Sequence, residues 1–185
     1  MRACLLTGGP GVGKTTIVKR AVERVPGRAG GFYTEEIRQG GARQGFRLVT
    51  LDGESAVLAH VDIRSRHRVG RYGVDVEALD RVGVAAIEEA CRERELVVID
   101  EIGRMELFST RFREAAAAAI DSDKRVLGAI MLAPHPWADE IKRRPQVEVL
   151  PVTRENRGHC ADRVREWIDT IPVGKGTERH APCEP

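Results

Sequence analysis

The sequence predicts an α/β fold in which helices cover a mainly parallel β-sheet. Two short apolar runs, at residues 3–6 and 96–99, are continuous rather than alternating, which is typical of strands buried on both faces. Segments with apolar residues every three or four positions follow in the chain, and this is the spacing of an amphipathic helix. Strands that alternate with helices in this way indicate a parallel sheet.

The rest of the chain supplies further elements of both kinds. Helical spacing predicts helices at 15–25, 76–90, 110–120 and 137–143. Apolar runs predict strands at 126–131 and 147–152. We expect Thr153 to cap a last helix, because a threonine side chain readily accepts a hydrogen bond from the first helical N–H groups.

Residues 31–60 have a different pattern, in which short apolar segments are separated by glycine-containing turns. One turn is Asp52-Gly53, and Asp-Gly between apolar segments is a strong signal of a β-hairpin. We expect an antiparallel hairpin insertion that forms a lid or a side wall. The length of 185 residues suits a single domain, expected at 1–171. Residues 172–185, rich in proline, glycine and charge, are expected to be a disordered tail.

The overall charge gives no reason to expect a nucleic acid or a membrane as a partner. Lys and Arg number 30 and Asp and Glu 28, for a net charge of +2, and aromatic residues are only 4% of the chain. RNA recognition usually needs a basic surface and aromatic rings for stacking. We find no apolar run near the ~20 residues that cross a bilayer and no secretory signal. Four cysteines without metal or redox spacing suit a reducing compartment, so we expect a cytoplasmic protein. We also expect a monomer.

A glycine-rich motif after the first predicted strand indicates a phosphate-binding loop. The motif G-x-x-x-x-G-K-[ST] is matched by Gly8, Gly9, Pro10, Gly11, Val12, Gly13, Lys14 and Thr15. Its glycines let successive backbone N–H groups surround an anion, and the following helix adds the positive end of its dipole. We expect Lys14 to contact the β- and γ-phosphates, and the Thr15 hydroxyl to ligate Mg²⁺.

Two carboxylates end the second apolar run. Because ligands bind at the carboxyl ends of parallel strands, Asp100 is expected beside the phosphate-binding loop, where it holds Mg²⁺ through water. The alternative for Asp100 is a side chain that caps a turn. Glu101 is placed to orient and polarise a water molecule in line with the γ-phosphate, as hydrolysis requires. The alternative for Glu101 is a solvated side chain or an ion-pair partner.

The same segment suggests two further roles. Residues 100–103 match D-x-x-G, in which GTPases use the glycine N–H, here that of Gly103, to sense the γ-phosphate. The guanine-reading Asn-Lys-x-Asp is absent, so strict GTP specificity is not expected. Arg104 is a candidate for stabilising charge on the transferred phosphoryl group, a role worth about 10³ to 10⁵ in rate. Its rivals in the hairpins are Arg38, Arg43 and Arg47, and each arginine is alternatively a solvated surface charge.

Four segments together resemble the THEP-type nucleoside-triphosphatases, a P-loop family with a human relative known as cancer-related nucleoside-triphosphatase. They are GGPGVGKTT at 8–16, GFYTEEIR at 31–38, RQGFRLVTLDG at 43–53 and LVVIDEIGRMEL at 96–107. Weaker matches are VGRYGVD at 69–75 and VTRENR at 152–157. The phosphate-binding loop alone is generic, whereas the pair GFYTEE and DEIGRME is much more specific to this family.

This resemblance implies a RecA-like, three-layer αβα P-loop fold, in which the strand that carries Glu101 is not adjacent to the strand before the loop. It implies slow, Mg²⁺-dependent hydrolysis of ATP, GTP, CTP, UTP and TTP, with diphosphates used less well and little base preference. The nucleotide would contact segments 8–16 and 96–103, and Asn156 and Arg157 would lie near the base. Beyond the loop motif, these segments contain Thr16, Leu96, Val97, Val98, Ile99, Asp100, Glu101, Ile102 and Gly103. Our candidate catalytic residues are Lys14, Glu101 and Arg104.

Two other functions share the phosphate-binding loop. A nucleoside or nucleotide kinase would transfer the phosphoryl group to an acceptor, with the hairpin arginines as a lid. Glu101 directly after Asp100 favours water as the acceptor instead. A nucleotide-switched binding module would present the hairpins at 31–60 and the tail to a partner.

Overall fold

The computed structural model describes residues 2–171, so the tail predicted at 172–185 lies outside the described residues. Within that range the strands are β1 (Ala3–Thr7), β2 (Ala29–Gln39), β3 (Ala42–Thr50), β4 (Ser55–His60), β5 (Arg68–Val69), β6 (Tyr72–Val74), β7 (Leu96–Ile102), β8 (Arg125–Ile130) and β9 (Val147–Pro151). The helices are α1 (Lys14–Val22), α2 (Val76–Ala78), α3 (Ala85–Glu93), α4 (Thr110–Asp121), α5 (Pro136–Lys142) and α6 (Arg157–Asp169). A π-helical turn (Leu79–Val84) joins α2 to α3, and a 3₁₀ turn (Glu106–Phe108) precedes α4. No helix among the described residues is both long and apolar enough to span a bilayer.

All these strands belong to one sheet, in the order β5-β6-β4-β3-β2-β7-β8-β1-β9. Neighbouring strands are parallel from β2 to β9 in this order and antiparallel from β5 to β2. β8 lies between β7 and β1. The strand that carries Glu101 is therefore not adjacent to the strand before the phosphate-binding loop, and the predicted α/β fold class is confirmed.

Two hydrophobic cores, one on each face of the parallel strands, explain the unbroken apolar runs. In β7, Leu96 and Val98 face the core that contains α1 and α6, whereas Val97 and Ile99 face the core that contains α3, α4 and α5. All four side chains are fully buried. Helices on both faces give the molecule its three layers and leave these strands no polar face.

The segment predicted as a hairpin insertion extends the central sheet. β2 pairs in parallel with β7 on one side and antiparallel with β3 on the other, and β3 pairs with β4. The sheet then continues into β6 and β5, which sequence analysis does not predict. Strands of three and two residues are too short to show an alternation of apolar and polar positions.

The N-cap predicted at Thr153 is wrong. α6 begins at Arg157, and Asn156 is its N-cap residue. Thr153 and Asn156 close a turn before the helix: the Thr153 N–H donates to Asn156 Oδ1 at 2.8 Å, and Thr153 Oγ1 accepts from the Asn156 N–H at 3.2 Å. The threonine side chain caps this turn, so the helix starts only after it.

Gly31 is expected to be essential for the contact between β2 and β7. Its φ is 106°, and a Cβ atom there would lie 2.1 Å from the Val98 carbonyl oxygen. Gly31→Ala should lower the free energy of unfolding by about 2–4 kcal/mol, because it adds backbone strain and a clash with a strand that is held on both sides. Urea unfolding followed by circular dichroism measures the loss.

Gly40→Ala is the matched control. Gly40 also has a positive φ, 55°, but no atom lies within 4 Å of its Cβ position. Added backbone strain alone should lower the free energy of unfolding of this variant by about 1 kcal/mol. Equal losses in the two variants would contradict the account of Gly31.

Candidate active site

The phosphate-binding loop connects β1 to α1. Gly11 and Gly13 have φ angles of 73° and 109°. Residues that carry a Cβ atom rarely adopt these angles, so both positions favour glycine. α1 begins at Lys14, and no side chain caps its first turn. The N–H groups of that turn are left to an external acceptor, and a helix N-terminus of this kind binds anions such as phosphate.

The Lys14 ammonium group lies between the loop and the acidic pair. Nζ donates hydrogen bonds to the carbonyl oxygens of Gly8 at 2.9 Å and Gly9 at 3.3 Å, and it lies 4.0 Å from Glu101 Oε2. Only 8% of Lys14 is exposed. The fold thus brings together the lysine of the loop and the glutamate of β7, as the sequence predicts for the carboxyl edge of a parallel sheet.

Asp100 carries a buried carboxylate that has no hydrogen-bond partner. The residue is 0% exposed, and neither Oδ1 nor Oδ2 forms a hydrogen bond within residues 2–171. Burial is the main cause that raises the pKa of Asp100 to about 6. The Thr15 hydroxyl lies close by and lowers this pKa, although it completes no hydrogen bond. The Lys14 charge also lowers the pKa of Asp100, whereas the Glu101 charge raises it. Buried polar atoms are normally paired, so this carboxylate requires a cation or a proton.

The donors around Asp100 fit a hard divalent cation. Oxygen atoms such as those of Asp100 and Thr15 are the ligands that Mg²⁺ prefers. Among the described residues, no group of three or more His, Cys, Asp or Glu side chains is arranged to hold a metal ion. A cation here would therefore need phosphate oxygens and water to complete its shell, as Mg²⁺ does in nucleotide sites.

Glu101 differs from its neighbour in its access to water. The peptide bond between Asp100 and Glu101 is cis, and the Glu101 side chain is 37% exposed. A carboxylate that water reaches, close to the Lys14 ammonium group, can orient a water molecule at the phosphate end of the loop and accept its proton.

Sequence analysis misses one buried glutamate beside this pair. Glu106 begins the 3₁₀ turn after β7 and is 4% exposed. Its Oε2 accepts a hydrogen bond from the Gly103 N–H at 3.1 Å. Burial is the main cause that raises the pKa of Glu106 to about 8, and the Glu101 carboxylate adds to the rise. The sequence does contain an indication that Glu106 is buried, because the residue lies between the apolar Met105 and Leu107, in a segment that returns to the core.

This hydrogen bond engages the backbone donor that the D-x-x-G match assigns to the γ-phosphate. The D-x-x-G match predicts that the Gly103 N–H points to the γ-phosphate, whereas in the structure it donates to Glu106. Each residue has one backbone donor, so a phosphate-sensing role for Gly103 would require Glu106 to release it.

The other predicted contact residues are divided between the core and the surface. The side chains of Leu96, Val97, Val98, Ile99 and Ile102 are fully buried. Pro10, Thr16 and Arg104 are exposed, and Val12 is half-buried. The buried side chains pack around the strand that carries Asp100, and the exposed residues lie in or next to the segments of the loop and the acidic pair.

The hairpin arginines that rival Arg104 are held in ion pairs. Arg38 and Arg43 contact Glu36, and Arg47 contacts Glu35 at 2.7 Å. Arg104, the remaining candidate, forms no ion pair within the part of the chain that the structure describes.

The two residues expected near the base lie at the start of α6. The Asn156 amide is used in its own turn, where Nδ2 donates to the Pro151 carbonyl oxygen at 2.9 Å and Oδ1 accepts from the Thr153 N–H. Arg157 is exposed, and its Cδ lies 3.9 Å from the position that a Cβ on Gly13 would occupy. Arg157 therefore borders the phosphate-binding loop.

A glycine-rich loop that opens a helix, with an unpaired carboxylate two strands away at the same sheet edge, defines a P-loop nucleotide-binding protein. Comparison with known proteins identifies the family. The profile of the NTPase family matches residues 3–165. The nucleoside-triphosphatase THEP1 of Thermotoga sp. (strain RQ2) is 44% identical over 175 residues, which cover 95% of this chain and 98% of that relative. The chain belongs to this NTPase family.

Two solved structures have the same fold. The crystal structure of THEP1 from the hyperthermophile Aquifex aeolicus gives a TM-score of 0.83 at 36% identity, over 90% of this chain and 99% of that one. The solution structure of a human cancer-related nucleoside triphosphatase gives a TM-score of 0.79 at 37% identity, over 93% and 100%. The resemblance to the THEP-type proteins is confirmed, and membership of the family suggests a divalent metal cofactor in general.

The raised pKa of Glu106 predicts a stability that falls as the pH rises. The pKa is about 8 in the folded state against an ordinary value of 4.5, so the folded protein keeps a proton that the unfolded chain releases between these values. The stabilisation is complete below pH 4.5 and is lost as the pH rises through about 8. Between about pH 6 and about pH 8, the free energy of unfolding should fall by at most about 1.4 kcal/mol per pH unit.

Glu106→Gln is the control for this titration. It removes the ionisable group and keeps an oxygen that can accept from the Gly103 N–H. Urea unfolding at a series of pH values in the same range should show that the free energy of unfolding of the variant depends less on pH than that of the wild type. Parallel profiles in the two proteins would mean that another group causes the pH dependence.

Proposed function

We propose that this protein hydrolyses nucleoside triphosphates to the diphosphate and phosphate, with Mg²⁺ and with little preference for the base. The observation that carries the proposal is the meeting of three groups at one sheet edge. These are the ammonium group of Lys14, the buried carboxylate of Asp100 and the water-accessible carboxylate of Glu101. Relatives that are named nucleoside-triphosphatases, among them THEP1 of Thermotoga and the human cancer-related protein, support the reaction class.

The loop and α1 are suited to the β- and γ-phosphates. The uncapped N–H groups of the first helical turn offer backbone donors. Lys14 Nζ now donates to the carbonyl oxygens of Gly8 and Gly9, and a triphosphate offers charged acceptors, which form stronger hydrogen bonds. We infer that Lys14 exchanges these carbonyl oxygens for phosphate oxygens when the substrate binds.

Thr15 and Asp100 are the residues that would hold Mg²⁺. Asp100 fits because both of its buried oxygens are unpaired, and Thr15 fits because its hydroxyl lies close enough to lower the pKa of Asp100. When bound, Mg²⁺ neutralises charge on the phosphate oxygens.

Glu101 is the group that we assign to the attacking water. Its carboxylate accepts a hydrogen bond from a water molecule in line with the γ-phosphate and takes up the proton that the water loses. The new bond joins the water oxygen to the γ-phosphorus, and the bond from that phosphorus to the bridging oxygen breaks. Lys14 and the exposed Arg104 stabilise the negative charge that moves onto the diphosphate.

A low base preference is supported by the start of α6. The Asn156 amide is occupied in its own turn, so it offers no free donor and acceptor pair to the edge of a base. The guanidinium group of Arg157 can lie against the face of any base, because every base has a π-face. Diphosphates should react less well, since they lack the γ-phosphate that Lys14 and Glu101 would contact.

A screen of phosphate release tests the function as a whole. ATP, GTP, CTP, UTP, TTP and ADP should be compared with and without Mg²⁺, in the absence of any acceptor. Mg²⁺-dependent release from every triphosphate supports hydrolysis. Formation of ADP from ATP only after a nucleoside or nucleotide is added would show a kinase instead.

Lys14→Ala should abolish measurable turnover and weaken triphosphate binding by about 10-fold or more, because it removes the ammonium group from the loop. Phosphate release and titration with a fluorescent triphosphate analogue measure the two effects. Lys142→Ala on α5, where the side chain is 19% exposed and its ammonium group pairs with Asp139, is a matched control that should leave both unchanged. Normal binding and turnover in the Lys14 variant would remove Lys14 from the site.

Glu101→Gln should preserve triphosphate binding and lower kcat by about 10²- to 10⁴-fold, because the amide cannot take up the proton of the attacking water. The same two assays apply. Glu89→Gln, an exposed glutamate on α3, is the control for the loss of one negative charge. A wild-type rate in Glu101→Gln would exclude Glu101 from the chemistry.

A further inference from the structure

The ionised form of Glu106 is unfavourable where the side chain lies. The residue is 4% exposed. Its carboxyl group accepts a hydrogen bond from the Gly103 N–H at 3.1 Å, and its own backbone N–H also acts on it. The charged groups that act on it most are the carboxylates of Glu101 and Asp100, which repel a negative charge. Burial of a carboxyl group without a cation is costly, and titratable groups of this kind are concentrated at functional sites.

Gly103 lies against both glutamate side chains. A Cβ on Gly103 would lie 2.9 Å from Glu106 Oε2 and 3.2 Å from Glu101 Oε1. The same position is 3.3 Å from Glu101 Cγ. The two carboxyl groups therefore pack on one side of the Gly103 Cα, and Glu101 rests directly on this piece of backbone.

The peptide unit between Ile102 and Gly103 is held from both ends. Its carbonyl oxygen, on Ile102, accepts from the Met131 N–H after β8 at 3.0 Å. Its N–H, on Gly103, donates to Glu106 Oε2 at 3.1 Å. Without Glu106, one end of this peptide unit is free to turn, and the surface against which Glu101 packs changes with it.

We propose that Glu106 is a positioning residue, which fixes the Gly103 peptide so that the Glu101 carboxylate stays directed towards Lys14 and the phosphate end of the loop. This role rests on the proposed function, because Glu106 acts on the reaction only through Glu101. Displacement of a reacting group by about 1 Å can cost 10²-fold in rate, so a residue that touches no substrate can govern turnover.

The first measurement separates chemistry from binding. Glu106→Ala should lower kcat at least about 10-fold and change KM by less than about twofold, since the loop and Asp100 keep their contacts. Glu106→Gln should retain kcat within about threefold of the wild type, because its amide oxygen can accept from the Gly103 N–H. Equal losses in the Ala and Gln variants, or a normal kcat in the Ala variant, would overturn the positioning role.

The second measurement is a double-mutant cycle with Glu101→Gln. If Glu106 acts through Glu101, Glu106→Ala should have little further effect on kcat in the Glu101→Gln background. A full, multiplicative loss in that background would show a general structural role and overturn the proposal. Wild-type turnover in Glu101→Gln alone would overturn the assignment of Glu101, which is a different failure.

Two further variants keep the test decisive. Ser109→Ala removes the N-cap of α4, where Ser109 Oγ accepts from the Phe112 N–H at 2.9 Å, so it should lower the melting temperature without lowering kcat. If Glu106→Ala does not fold, Gly103→Ala disturbs the same contacts from the other side. It should lower kcat in the wild-type background and not in the Glu101→Gln background, and the opposite pattern would refute the proposal.

Discussion

A buried carboxylate without a partner is the constraint on which the rest of the site depends. Asp100 lies near the carboxyl end of β7, whose preceding residues are packed in two cores, so neither the side chain nor the strand can move into solvent. Its oxygens have no hydrogen bonds among the described residues, and the Lys14 ammonium group is engaged with loop carbonyls. Such a group is stable only with a proton or with an added cation, and a metal-bound triphosphate supplies the cation together with the anion that the loop requires.

The strand order makes this arrangement possible. Because β8 separates β7 from β1, the loop and the acidic pair lie at the same edge without being direct neighbours. Glu101 can therefore face the phosphate end of the loop from the side, 4.0 Å from Lys14 Nζ. The two cores hold this geometry from both faces, which explains why the segment before Asp100 is apolar at every position.

The sequence predicts the parts of the fold and the site that local chemistry decides. The loop glycines, Lys14 and the acidic pair follow from a motif and from strands that are apolar on both faces. The apolar neighbours of Glu106 indicate its burial, but the role that we propose for it depends on the hydrogen bond from Gly103 and on the packing of Glu101 against Gly103, which no local pattern reveals. The pairing of Arg43 with Glu36 and of Arg47 with Glu35 is likewise set by the register of β2 and β3, which composition does not reveal.

The central claim is that the loop and the acidic pair converge on one metal-bound triphosphate. A crystal structure with Mg²⁺ and a non-hydrolysable triphosphate analogue tests it most directly. We predict one metal ion held between Thr15 and Asp100, with Lys14 Nζ moved from the carbonyl oxygens of Gly8 and Gly9 to the phosphates. A metal ion bound elsewhere, or a loop without phosphate at saturating analogue, would contradict the account.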